Sequence, residues 1–162
     1  VYIFDHVTLP PNIKYIGDDA FCNCQSLTGL CIPKSVSNIG FSAFRGCGLE
    51  NINISESLFG ISEYMFYDAY ELKEVELPNT ITAMSHAFYS CEHLHIIMPP
   101  SVSYIAPDAF NQCNEYSYEN LRIEVPKGEK EKLEQLCEHL KGKILEYDIT
   151  EDMAISSDLQ KH

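Results

Sequence analysis

Cys91, His93 and His95 alternate in the segment CEHLH, and Cys22 and Cys24 flank a single residue. Thiolate and imidazole are zinc ligands, so these residues are weighed first for metal chemistry. Alternation puts side chains on one side of an extended segment. A structural zinc site needs four converging ligands, and the chain has no CxxC or HxxxH spacing. Cysteines, histidines and acids also supply the parts of a nucleophile–base–acid set. No nucleophile elbow, phosphate-cradling loop or paired-carboxylate motif groups them. Glu74 and Glu76 could attract calcium beside amide oxygens, although strands space ligands poorly for that ion. Asn53 opens an Asn-Ile-Ser glycosylation pattern. On these readings the chain has no metal, no cofactor and no catalytic residue. The positions of the same residues in a larger pattern explain why.

That pattern is a repeat. A strand-ending apolar residue recurs at Leu9, Ile32, Ile54, Leu77 and Met98, in steps of 23, 22, 23 and 21 residues. Proline follows at Pro10, Pro33, Pro78 and Pro99, with Ser55 in the third coil. Further apolar slots hold Ile13, Val36, Leu58, Ile81 and Val102, then Ile16, Ile39, Ile61, Met84 and Ile105. Phe21, Phe44, Phe66, Phe88 and Phe110 come next, and Cys24, Cys47, Ala69, Cys91 and Cys113 sit three residues later. A fixed period of 20–29 residues is the mark of a solenoid.

Each slot has a physical reading. Alternating apolar residues before each proline have the period of a strand with one buried face. Proline removes a donor and fixes φ, so it ends ladder pairing and turns the chain. The segment from Asp18 to Cys24, and its equivalents, is expected to form a short helical turn that drops Phe inward. The five phenylalanines are expected to stack as a spine. Ala69 shares the cysteine slot, so the slot calls for a small buried hydrophobe, and the thiols in it are expected to be free.

The segments LPPNIKYIGDDAFCNCQSL and IPKSVSNIGFSAFRGC resemble the leucine-rich repeats of the BspA-like (Treponema pallidum) type. The resemblance runs over residues 7–126, and IEVPKGEKEKLEQLCEHLKGKILEY resembles the closing segment of that family. It implies a curved binding solenoid, often at the surface of host-associated microbes and associated with adhesion. The family carries no catalytic residues to transfer.

The expected fold is an α/β solenoid. It is a right-handed leucine-rich repeat with a parallel β-sheet on its concave face, short helical turns and a C-terminal capping helix. Residues 1–149 form the solenoid, 126–149 its cap, and 150–162 a flexible tail. Leu133, Leu136, Cys137 and Leu140 fall on one helical face, with Gly142 as a stop. The start, VYIFDHVTLP, enters a strand without a capping element. This predicts a fragment of a longer protein or a chain that has lost a leader.

The net charge is −13, with 15 acidic and 5 basic residues before position 127. Such a surface disfavours nucleic acid, which demands clustered Lys and Arg, and anionic membranes. No apolar run reaches the length of a membrane span, and no secretory signal stands at the start. A monomer is expected. The resemblance implies the cell surface or secretion. Seven thiols, an odd count, fit a reducing compartment better and keep the cytoplasm as the alternative.

Function then falls to the residues the repeat leaves over. The outward strand positions are His6 and Thr8, Gly29 and Cys31, Asn51 and Asn53, Glu74 and Glu76, His95 and Ile97, and Arg122 and Glu124. Asn51, Asn53, Glu74, Glu76, His95, Arg122 and Glu124 make a polar ladder suited to a protein or glycoprotein ligand. An insertion at 114–120 adds Tyr116 and Tyr118 near its rim. The competing reading is a structural spacer with no ligand of its own.

Overall fold

A computed structural model of the chain describes residues 6–110 and 121–148. In chain order its strands are β1 (His6–Thr8), β2 (Tyr15–Ile16), β3 (Gly29–Cys31), β4 (Asn38–Ile39), β5 (Asn51–Asn53) and β6 (Gly60–Ile61). They continue as β7 (Glu74–Glu76), β8 (Ala83–Met84), β9 (His95–Ile97), β10 (Tyr104–Ile105), β11 (Arg122–Pro126) and β12 (Ile144–Tyr147). One long sheet runs β1-β3-β5-β7-β9-β11-β12, and every recorded pairing in it is parallel. The two-residue strands form a second side, as β2-β4 and β10-β8-β6. Each coil thus gives one strand to the long sheet and one short strand to the other side.

The core is the repeat seen end on. Leu30, Ile52, Val75, Ile96 and Ile123 are buried in the centres of their strands. Ile16, Ile39, Ile61 and Met84 line the short strands from inside. The phenylalanine spine is present, with neighbouring centroids 5.6, 5.8, 5.3 and 5.7 Å apart from Phe21 to Phe110 and planes within 13° of parallel. In the third coil, where proline is missing, Ser57 N–H donates to Ser55 Oγ at 3.2 Å. This local turn does the work of a fixed φ.

The segments around Phe21, Phe44, Phe66 and Phe88, and the one leading into Phe110, are hydrogen-bonded turns, not the expected helical turns. The reason lies in where their N–H groups point. Ala20, Cys22 and Cys24 donate within their own coil, to Gly17, Asp19 and Phe21 carbonyls. Asp19, Phe21 and Asn23 donate instead to Phe41, Ala43 and Arg45 of the next coil, at 2.9, 2.8 and 2.7 Å. A helix would spend all these donors internally and leave adjacent coils unstitched. Left-handed φ values at Asp19, Ser42 and Tyr64, and at Asn23, Gly46, Asp68 and Ser90, make the alternation possible.

The closing segment differs from the expected continuous helix. A helix, α1 (Lys130–Leu136), ends at Cys137 with φ −130°, and a 3-10 turn follows over Glu138–Leu140. Leu133, Cys137 and Leu140 are buried. The Cys137 thiol lies 3.5 Å from the Pro107 carbonyl, and the Cys137 backbone N–H caps α1 on Leu133 O. Gly142 has φ +80°, as its stop role requires. Residues 114–120 with Tyr116 and Tyr118, Cys113, and the 150–162 tail lie outside the described residues.

Candidate functional site

The outward ladder forms as the alternation requires. Parallel register aligns Gly29 with Asn51, Asn51 with Glu74, Glu74 with His95, and His95 with Arg122. A second column aligns Thr8 with Cys31, Cys31 with Asn53, Glu76 with Ile97, and Ile97 with Glu124. Neighbouring rungs are about 4.8 Å apart. Asn51, Asn53, Glu74, Glu76 and Arg122 are exposed, while His95 and Glu124 are half-buried.

Within that face the residues split into two groups. His95 Nε2–H donates to Glu124 Oε1 at 2.9 Å, so those two candidates satisfy each other. Asn51, Asn53, Glu74 and Glu76 instead line one side of a shallow depression of about 610 Å³, with Val7 and Thr8 on the other. The small residues Gly29 and Cys31 lie on the strand between them. Glu74 and Glu76 enter no ion pair among the described residues. Lys73 and Glu50 pair at 2.6 Å just ahead of β7 and β5.

The suspected metal and nucleophile residues do not converge. Cys91 is buried with its thiol 3.2 Å from the Phe66 carbonyl. His93 is exposed, and His95 turns to Glu124. Among the described residues no three of His, Cys, Asp and Glu stand where they could share a metal ion. The six described cysteines are free thiols. Cys47 and Cys91 fill the interior slot, but Cys24 is exposed, which corrects the expectation for the first coil. In later coils the thiol reaches a carbonyl of the preceding coil, as Cys47 does to Cys24 O at 3.4 Å. Burial pushes the Cys47 thiol up to about 11.

Two features escaped sequence reasoning. On the turn side, His86 lies between Asp108, at its Nε2, and Glu63, 3.5 Å from its Nδ1. Around it, Phe41, Tyr64, Tyr67 and Tyr89 make an aromatic cluster, with Tyr67 and Tyr89 stacked at 4.6 Å and Arg45 over Tyr67. The columns predict both, once coil four is shifted by its one-residue deletion so that His86 falls beside Tyr64 and Asp108. The other feature is a cleft at the strand ends, walled partly by Tyr147. Tyr147 belongs to no repeat column, so periodicity carries no signal for it.

Stacked coils, an inward phenylalanine spine and a polar strand ladder define a leucine-rich repeat solenoid, the architecture of a protein-interaction module. The chain belongs to the BspA-type leucine-rich repeat family, whose family model matches six copies over residues 3–117. It is similar to a leucine-rich cell surface protein from Faecalibacterium prausnitzii, with 33% identity and a TM-score of 0.65 over 67% of this chain and 29% of that one. It is also similar to the T. pallidum leucine-rich repeat protein, with 29% identity and a TM-score of 0.66 over 75% of this chain and 58% of that one. The pneumococcal vaccine antigen PcpA, at 19% identity and a TM-score of 0.52 over 89% of this chain and 40% of that one, shares the fold. The chain thus spans less than two thirds of each of these proteins. No curated protein matches it. Among the described residues no helix is long and apolar enough to cross a membrane.

Proposed function

We propose that the long-sheet face is a non-catalytic recognition surface for a protein or glycoprotein partner, displayed at the cell surface or secreted. One observation carries this reading. Asn51, Asn53, Glu74 and Glu76 line a depression whose floor includes the small residues Gly29 and Cys31. Small residues beside longer polar ones leave room for a partner's side chain. The cell-surface setting is supported by the description of the F. prausnitzii protein. In the same reading the closing segment around Leu133 and Leu140 covers the last coil. The polar ladder acts by multi-residue complementarity, with rim charges setting orientation and on-rate more than affinity.

The test uses the immobilised chain against a panel of purified host surface glycoproteins. The quadruple variant Asn51→Ala, Asn53→Ala, Glu74→Ala, Glu76→Ala is expected to lose capture while keeping its unfolding midpoint. Undiminished capture by that variant refutes the assignment of the face. Absence of capture by the unmodified chain supports the spacer reading.

A further inference from the structure

Where coils two to five turn out of the long sheet, a cleft of about 550 Å³ opens. Asn53 and Glu76 line both this cleft and the depression on the face, so the two are continuous. Glu56, Asn79, Thr80 and Tyr147 complete its polar wall. The cleft sits where the ladder loosens. β5 and β7 are in register at Asn51 and Glu74 alone, whereas β3–β5 and β7–β9 keep three pairs each.

Its polar groups are not used up by the fold. Two residues past the corner, coils two to five carry Ser35, Ser57, Thr80 and Ser101. Ser35 donates to Ile13 O at 2.6 Å, Ser57 to Lys34 O at 2.6 Å and Ser101 to Ile81 O at 2.8 Å, each reaching the preceding coil. Thr80 breaks the series. Its Oγ1 is buried without a hydrogen-bond partner, and so is Asn79 Oδ1 beside it. Unpaired buried oxygens are costly and uncommon in folded proteins. Both residues line the cleft, and rotation of their side chains would turn these oxygens toward it.

The charge of the cleft points the same way. Glu56 and Glu76 enter no ion pair among the described residues, and Lys34 is the basic side chain in the lining. The Tyr147 phenol, whose hydroxyl donates to Met98 O at 2.6 Å, is raised first by burial and then by the charges of Glu124 and Glu76. The site is therefore acceptor-rich and negative. Among the described residues no three of His, Cys, Asp and Glu stand there to share a metal ion.

We propose that this cleft receives a cationic side chain, arginine foremost, from the partner that the sheet face binds. The inference rests on the reading of the face as a recognition surface. A guanidinium offers five N–H donors in a fixed fork. It can meet the Glu56 and Glu76 carboxylates, and the Asn79 and Thr80 oxygens once those side chains rotate toward the opening. A neutral sugar could pack on Tyr147 but would leave both carboxylates uncompensated.

The experiment is fluorescence anisotropy of the full chain with a labelled Gly-Ser-Arg-Ser-Arg-Ser-Gly peptide and its citrulline counterpart, which keeps shape and loses charge. The arginine peptide is expected to bind roughly tenfold or more tightly than the citrulline one. Glu56→Gln with Asn79→Ala should remove most of that preference. Glu131→Gln with Glu134→Gln, on the surface of α1, should leave it intact. Equal binding of the two peptides, an equal loss in the α1 variant, or displacement by neutral chitotriose overturns the proposal. Asn51→Ala with Glu74→Ala, which touches only the depression, separates the two readings. Glycoprotein capture undiminished in that variant sinks the face, and glycoprotein capture by the unmodified chain without any arginine preference sinks the cleft.

Discussion

The cysteine slot can be tested by the rate at which its thiols react. Cys47 is 2% exposed, and burial outweighs its hydrogen bonds to hold the thiol near 11 against an ordinary 9.0. Alkylation requires thiolate. At pH 8 a thiol at 9.0 is about one-tenth ionised and one at about 11 is about one-thousandth ionised. Ionisation alone therefore slows Cys47 roughly 100-fold, and its burial slows it further. Iodoacetamide pulses on the native protein, read by label occupancy at individual cysteines in digested peptides, should show Cys31 and Cys24 modified long before Cys47. In urea the difference should vanish. The folded state favours the protonated thiol, so this contribution to stability is complete below pH 9 and is lost as pH rises toward about 11. Native Cys47 labelling as fast as Cys31 would show that the slot is not an interior one, and the packing account of the repeat would fail.

Other outcomes follow from the same geometry. Phe66 is fully buried between two stacked rings, so Phe66→Ala should cost about 3–5 kcal/mol. Half-buried Phe21, stacked on one side by Phe44, should cost less than half as much; urea unfolding followed by circular dichroism compares them, and equal losses would contradict a spine. A Cβ at Gly48 would stand 2.0 Å from Gln25 O, and one at Gly60 3.5 Å from Ala83 O. Gly48→Ala should therefore lower the thermal midpoint sharply, while Gly60→Ala should leave it level or raise it; the reverse order would refute the coil spacing.

Legibility divides along physical lines. Strand positions, core columns and the phenylalanine spine were readable because one packing problem is solved again in each coil. The outward ladder was readable for the same reason, since period 2 fixes which side chains leave the core. The helical turns were misjudged because the segment from Asp18 to Cys24 has no signal telling a donor that bonds its own coil from one that bonds the next. That choice depends on left-handed residues such as Asp19, Ser42 and Tyr64, of which only Asp has a marked preference for that region. His95 and Glu124 read as two ligand-facing residues, and only register shows that they bind each other.

The departures from the repeat are as informative as the repeat. Ser55, Met65 and Ala69 break the pattern in coil three, and coil four is shortened. Of these, Ser55 lines the cleft, beside the loosened β5–β7 ladder and the break in the hydroxyl series at Thr80. A stack whose stability comes from nearest-neighbour contacts can tolerate one imperfect interface if the rest are sound. Local inconsistency of this kind is expected where a protein gives up packing for a site. The coil three–coil four boundary is therefore where loss of binding should separate most cleanly from loss of fold.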